Sequence, residues 1–519
     1  MAEPRRVSVQ PYFGGFILET LTVGMYGESK NAIREYVQIG FDSIQRAIEE
    51  LKILQPGEGL IQIIFDADAD GLRIRDNGAG LSTKQAVRTL ASIGASNKDY
   101  TTDAGFRGIG RLAGIVFSDI VAFTTKAAGE SEATKVVFDA KEMRHLMSPA
   151  RGSELSAQAL LERCVSATII EAKAEEAPYF EVSLRGFTEQ PEEVKLPSAM
   201  VRFISQVAPV PYNTAFPYRQ AIQDFAAQSN IRIDSVRVLV EEYGKDPVEV
   251  SKPYTARYEV QDAERLVELT GVEPFVSATK RWWGWVGRKD VPGSYVDADV
   301  RGIRVRAKNI QIDGTDVVRE IFQRQAKSNA RYQDWTIGEI FVDLKAVVPN
   351  ARRDGFEDTK AWKEVRKEIA DTVCKDVGSW AQEVSNKGQL TLQTLTEKKE
   401  KFAVGLEALR RTDFRNKDRT LTLSADVTKL QGEVARASKN AEPTTLAALQ
   451  HLNSQLIDIK TEAVSQIAGS PAVDAEAVEA QARDTLLTEL LVLFESHLEA
   501  PCLSAVRNVI RDEYDWPRD

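Results

Sequence analysis

Carboxylates and glycines cluster at three places early in this 519-residue chain, and each place carries a chemical reading. Asp76-Asn77-Gly78-Ala79-Gly80 sets a carboxylate ahead of two glycines. Such glycines let a backbone turn sharply and leave room for a flat ligand. A buried Asp there is an acceptor suited to the exocyclic amine of adenine. Gly105-Phe106-Arg107-Gly108-Ile109-Gly110 has the spacing G-x-x-G-x-G ahead of an apolar stretch. Loops of that kind offer backbone N–H groups, together with a helix N-terminus, to phosphate. It is neither the dinucleotide fingerprint, since no strand pattern leads into it, nor a G-K-S/T phosphate loop. Glu35, Ile39 and Asp42 stand at i, i+4 and i+7, one stripe of a helix. Taken singly, the three read as a turn, a hinge and a solvated face.

The elements that must position them are legible in outline. Gly71-Leu72-Arg73-Ile74-Arg75 alternates with period two, a strand with one apolar face that ends on Asp76. Ser29 or Asn31 caps a helix whose apolar positions are Ile33, Val37, Ile44, Ile48 and Leu51. A helix over Leu81–Leu90 leads into a polar segment running to Ala104. Ile115 to Thr125, Lys135 to Phe138 and Ser166 to Glu171 read as strands, and with them residues 1–190 form one α/β unit.

In this order the motifs resemble the GHKL superfamily of ATPases, and Tyr26 to Ser43 is most similar to the ninety-kilodalton heat-shock chaperone family, with Gly105-Phe-Arg-Gly108 also similar to MutL. The resemblance implies a Bergerat-type α/β sandwich binding ATP and Mg2+. It implies Asp76, Gly78 and Gly80 at the adenine, with Asp42 lining the pocket and Thr168 as a hydroxyl near the base. Gly105, Gly108 and Gly110 would hold phosphates, and Lys98 would reach one from a lid. Glu35 would activate water, positioned by Arg34. The family's magnesium-binding Asn falls at Ile39, which has no oxygen to offer a hard cation. Hydrolysis is therefore expected to be impaired, and whether Gln38 or a water substitutes is left open.

Composition sets bounds. With 43% hydrophobic residues the chain can bury several cores. A net charge of −10 argues against wholesale wrapping of nucleic acid. Cys164, Cys374 and Cys502 are widely spread and form no disulfide framework or metal pattern. The start lacks an apolar signal core and no run is long enough to cross a bilayer, so a soluble cytoplasmic protein is expected.

Residues 195–375 read as a second α/β unit. Lys280-Arg-Trp-Trp-Gly-Trp285 interleaves cations and aromatics, either core and edge or a stacking surface. Arg304, Arg306 and Lys308 lie at period two on one strand face, either solvated or a surface for a client or nucleic acid. Val348-Pro-Asn350-Ala-Arg352-Arg353-Asp354 resembles the middle-domain loop of the heat-shock chaperones, implying that Arg352 or Arg353 contacts the terminal phosphate. Residues 376–519 turn helical, with short heptad runs that suit an antiparallel hairpin or bundle. The final apolar stretch Leu486 to Leu498 packs locally or, as the resemblance implies, dimerises the chain. The leading expectation is thus an ATP-gated, chaperone-like homodimer acting on a client protein. The alternative is a DNA-handling clamp of the MORC or MutL kind, in genome or phage defence.

Overall fold

The computed structural model describes residues 12–22, 24–25, 28–66, 71–94, 101, 105, 108–148, 155–188, 191–229, 231–312, 314–325, 327–389, 391–438, 441 and 443–468, with isolated positions between 486 and 510. By contacts the chain divides into Met1–Ala381 and Gln382–Asp519.

The alternating run before Asp76 forms β2 (Gly71–Asp76), antiparallel to β1 (Leu60–Phe65). They join β3 (Ser118–Lys126), β4 (Glu132–Asp139), β5 (Val165–Glu171), β6 (Tyr179–Phe187), β7 (Arg237–Glu242) and β8 (Val248–Glu249) in an eight-stranded sheet. The order is β5-β4-β3-β6-β2-β1-β7-β8, antiparallel throughout except for the parallel pair β1 and β7. The sheet thereby draws a strand from beyond residue 195 into the first unit's core.

Helices cover one face: α1 (Phe16–Leu21), α2 (Ser29–Glu49), α3 (Thr83–Ala91), α4 (Ala140–Met147), α5 (Ala157–Cys164), α6 (Glu192–Lys195) and α7 (Pro197–Val207). Ile33, Tyr36, Val37, Phe41 and Ile44 of α2 bury against Ile61, Ile63, Leu72 and Ile74 of the sheet. Each such side chain contributes about 1.5–3 kcal/mol on leaving water. α2 begins at Ser29, so the cap position falls on Glu28, whose side chain makes no capping bond, and not on Ser29 or Asn31 as expected. Period two puts Leu72, Ile74 and Asp76 on the helix-covered face, while Arg73 and Arg75 turn away to Asp66 and Glu181.

Beyond α8 (Arg219–Gln228) and a two-stranded ribbon of β9 (Arg257–Tyr258) and β10 (Val267–Glu268) comes a second sheet. It contains β11 (Gly271–Val276), β12 (Trp282–Arg288), β13 (Gly302–Ala307), β14 (Ile310–Ile312) and β15 (Ile337–Val342), in the order β11-β12-β15-β13-β14. Both faces are covered. Trp282, Val286, Ile303, Val305 and Ile340 pack toward α9 (Asp316–Gln325), α10 (Lys360–Ile369) and α11 (Lys375–Gln389). Trp283, Trp285 and Phe341 pack toward Tyr212, Phe216, Tyr254 and Tyr295.

That two-sided burial corrects the surface readings of this region. Trp282, Trp283 and Trp285 are core, their indole N–H groups donating to Glu368 Oε2, the Ile231 carbonyl and the Tyr212 hydroxyl. Arg304 and Arg306 are buried too. Arg304 donates to the carbonyls of Ala298, Val300 and Arg301, and Arg306 to Glu339, Asn309 O and Gln206 O. Lys308 is not on the strand at all. With Asn309 it forms the two-residue β13–β14 turn, both at positive φ (51° and 59°), the twist such hairpins require. The two features offered for a nucleic-acid surface are therefore interior.

Glu339 anchors this interior. Its carboxylate accepts from Lys252 Nζ at 2.8 and 3.0 Å, from Arg306 Nε and from the Tyr212 hydroxyl, and Glu339, Lys252 and Arg306 are fully buried. Burial alone would raise the Glu339 carboxyl, but Arg306 and Lys252 more than offset it and hold it at about 2. Burial and the neighbouring Arg306 push Lys252 down to about 7, with Glu339 pulling the other way.

The second unit is built from α12 (Leu392–Arg411), α13 (Lys417–Ser438) and α14 (Pro443–Ala468). Leu395, Leu406 and Leu409 meet Val427, Leu430 and Val434 and Leu449, Leu452, Leu456 and Ile459 in one core, a helical bundle. The heptad runs read in the sequence supply these residues. Most of Leu486–Leu498 lies outside the described residues. No helix among the described residues is long and apolar enough to cross a membrane.

Candidate functional site

Helix α2 presents its polar stripe to the glycine segment. Gly105 N donates to Asp42 Oδ2 at 2.9 Å. A Cβ on Gly105 would lie 2.5 Å from Gln38 Nε2, and one on Gly110 2.6 Å from Glu35 Oε2. At both positions a side chain would have to displace the end of a polar side chain of α2. Tyr36 fixes the spacing: its hydroxyl accepts from Gly114 N at 2.8 Å and donates to Arg111 O at 3.1 Å. Burial raises the Tyr36 hydroxyl far above its ordinary range, keeping it a donor.

The Asp76 turn packs against the same helix. Asp76 is buried, and its Oδ1 accepts from Gly78 N at 2.9 Å. Ala79 N donates to Ser43 O at 3.1 Å, and Asn77 Oδ1 accepts from Leu60 N at 2.8 Å. A Cβ on Gly78 would fall 2.3 Å from Ser43 Oγ, and one on Gly40 3.3 Å from Asp76 Oδ2. The space beside Gly78, expected to be open for a ligand, is thus filled by α2. Gly80 has φ +60° and lies against the Lys126 carbonyl.

The arginine loop reaches α2 from the far side of the first unit. A bridge between Pro349 and Phe356 closes it, and Asn350 Nδ2 donates to Asp354 Oδ1 at 2.6 Å. Arg353 sits in the left-handed region at φ 59°, buried, with Nε 3.5 Å from Glu35 Oε1. Arg34 Nη2 lies 3.6 Å from the same oxygen and donates to Arg352 O at 3.1 Å. Arg352 is exposed and donates back to Gly24 O at 3.2 Å. Of the two arginines, Arg353 is the one at the carboxylate and Arg352 the one that ties the loop down. A cavity of about 620 Å³ borders this junction, lined by Arg34, Arg352, Arg353, Phe203, Gln206 and Gln311 among others; Asp76 is not in its lining.

Glu35, Arg34, Asp42, Gly105, Gly110 and Arg353 are therefore brought together, and Asp76, Gly78 and Gly80 meet the next turns of α2. Gly108 lies between, at φ 68°. Thr168 is not brought in: it is exposed on edge strand β5, with β4, β3 and β6 between it and β2. Lys98 and most of the lid lie outside the described residues. Ile39 packs its side chain against the hydrophobic core. Gln38, left open above as a substitute for the missing magnesium ligand, is 1% exposed and faces Gly105, and among the described residues neither of its amide atoms has a hydrogen-bond partner. Its position three residues after Glu35 was the available signal.

Magnesium keeps several waters and takes one or two protein oxygens together with substrate phosphates. No cluster of three His, Cys, Asp or Glu side chains among the described residues could hold a metal alone. The orphaned Gln38 amide oxygen, beside Glu35 and Asp42, does fit a hydrated ion carried in on phosphate.

Comparison with known proteins agrees in kind. The chain is 28% identical over 166 residues to the chaperone protein HtpG of Paramagnetospirillum magneticum. It is 29% identical over 138 residues to that of Mycolicibacterium gilvum, and 26% over 138 residues to that of Geobacter sulfurreducens. Each of these relatives is a chaperone protein HtpG, and the likeness is to part of it. The matches cover 28%, 23% and 23% of this chain and 26%, 21% and 21% of the relatives, so about a quarter of each is shared. No family model matches the chain.

Proposed function

We propose that this chain is an ATP-binding, chaperone-type conformational ATPase in which nucleotide controls the contact between the arginine loop and α2. The observation that carries the reading is the meeting of Glu35 and its neighbour Arg34 with Arg353, more than three hundred positions away, beside Gly110. The HtpG likeness and the mixed α/β sheet with its helical bundle support it.

In this reading Asp76 accepts the adenine amine, and the segment from Gly105 to Gly110 and Lys98 receive the phosphates, a phosphate competing with Asp42 for the Gly105 N–H. A terminal phosphate competes with Glu35 for Arg353, whose planar guanidinium makes multidentate contacts to phosphate. Released from Arg353, Glu35 accepts a proton from an attacking water, with Arg34 still fixing its orientation. Magnesium, when bound, neutralises charge on the phosphates. Residues 1–190 act as the nucleotide unit, 195–375 as the carrier of the arginine loop, and 376–519 as the dimerising region. Docking of the loop converts nucleotide state into a change of dimer shape felt by a client protein.

A phosphate-release assay with magnesium, paired with native mass measurement in a non-hydrolysable ATP analogue, tests this. Turnover and an analogue-dependent change in assembly are expected. Absence of both nucleotide binding and phosphate release would end the proposal.

A further inference from the structure

The amide of Gln38 is the polar group that the fold least explains. It is 1% exposed, on the stripe of α2 that faces the glycine segment, with Glu35 three residues before it and Asp42 four after. Its neighbours on that stripe are both engaged, Glu35 by Arg34 and Arg353 and Asp42 by Gly105 N. Gln38 is different: Nε2 and Oε1 both lack a partner among the described residues. Buried amides are ordinarily satisfied, and one left doubly unsatisfied is paired with an ion, a water or a ligand when the protein works. Leucine or methionine would fill the same volume without that penalty.

The amide faces the glycine segment: a Cβ on Gly105 would lie 2.5 Å from Nε2. The next residue, Ile39, is partly buried against the core and has no oxygen to offer. A ligand that satisfies Gln38 must present an acceptor and, within the width of one amide, a donor or cation. A phosphate oxygen with a hydrated metal ion beside it does both: the oxygen accepts from Nε2, and metal-bound water donates to Oε1.

We propose that Gln38 contacts the metal–phosphate end of a bound nucleoside triphosphate and supplies the amide that position 39 lacks. This rests on the nucleotide reading above, and goes beyond it in naming the residue that makes binding metal-dependent.

The test is calorimetry on the full chain with ATP plus magnesium, ATP plus EDTA, and adenosine. The variants are Gln38→Leu, Gln38→Leu with Ile39→Asn, and Asp76→Asn, with melting temperatures recorded without ligand. Gln38→Leu is expected to melt at or above the parent, since two unsatisfied groups are gone. It should bind magnesium-ATP about tenfold more weakly and metal-free ATP by a smaller factor, since only the phosphate contact is then lost, while binding adenosine as before. Restoring an amide at position 39 should recover much of the loss. If Gln38→Leu binds magnesium-ATP like the parent, or loses adenosine equally, Gln38 does not touch the metal–phosphate end and the inference fails alone. If the parent binds no ATP and Asp76→Asn changes nothing, the nucleotide reading fails and takes this inference with it. Gln38→Met repeats the comparison should the leucine variant not fold.

Discussion

Replacing Glu339 by Gln keeps its shape and removes its charge. In the folded chain that charge is shared among Arg306, Lys252 and Tyr212, with the two cations as fully buried as Glu339. A carboxyl held at about 2 instead of the ordinary 4.5 corresponds to about 3 kcal/mol, at about 1.4 kcal/mol per unit. Breaking a buried ion pair by deleting one partner costs about 3–5 kcal/mol, which agrees. Glu339→Gln is therefore expected to lower the unfolding free energy of the second sheet by about 3–5 kcal/mol near neutral pH. Urea denaturation followed by tryptophan emission reads it directly, because Trp285 bonds Tyr212 beside the network. The sign with pH is fixed. Since folding lowers the carboxyl, its contribution is complete above 4.5 and is lost as pH falls through about 2. The gap between parent and variant should narrow over that window. A gap below about 1 kcal/mol, the size of a surface pair, or one constant with pH would refute the reasoning. Replacing Glu339, Arg306 and Lys252 together by apolar residues should restore part of the loss, since no charge is then stranded.

Asp76→Asn should weaken ATP binding by about tenfold or more in calorimetry, and unchanged affinity would remove Asp76 from the adenine site. Arg353→Ala should lower kcat about 1,000-fold while leaving KM near the parent value, with Arg353→Lys recovering little because an ammonium lacks the planar fork. Gly110→Ala puts a methyl 2.6 Å from Glu35 Oε2 and should abolish turnover while retaining most ATP affinity; normal turnover would mean Glu35 is not held where it matters. Leu456→Ala, at a fully buried site of the bundle, should cost about 2–5 kcal/mol in the helical transition seen by circular dichroism.

Periodic features were legible in the sequence. Leu72, Ile74 and Asp76 alternate onto one face, and the apolar spacing of α2 and of the bundle helices survives folding intact. Charges were harder. Arg304 and Arg306 look like a solvated stripe because their partners, Glu339 and several carbonyls, come from other segments, and nothing local announces them. The glycines after Asp76 were read as leaving room for a ligand; at Gly78 that room is taken by α2 itself. Thr168 shows the converse, a plausible hydroxyl whose strand falls at the sheet's edge because strand order is set by long-range pairing.

The parallel pairing of β7 with β1 has a mechanical consequence. It stitches a strand from the later part of the chain into the first sheet, while Arg306 and Asn309 fasten the hairpin of the second sheet to Gln206 and Asp234 nearby. The two sheets are thus fastened together, and Gln206 at that fastening lines the same cavity as Arg352 and Arg353 of the arginine loop. A shift of the second sheet at that fastening is therefore felt next door, where Arg353 meets Glu35.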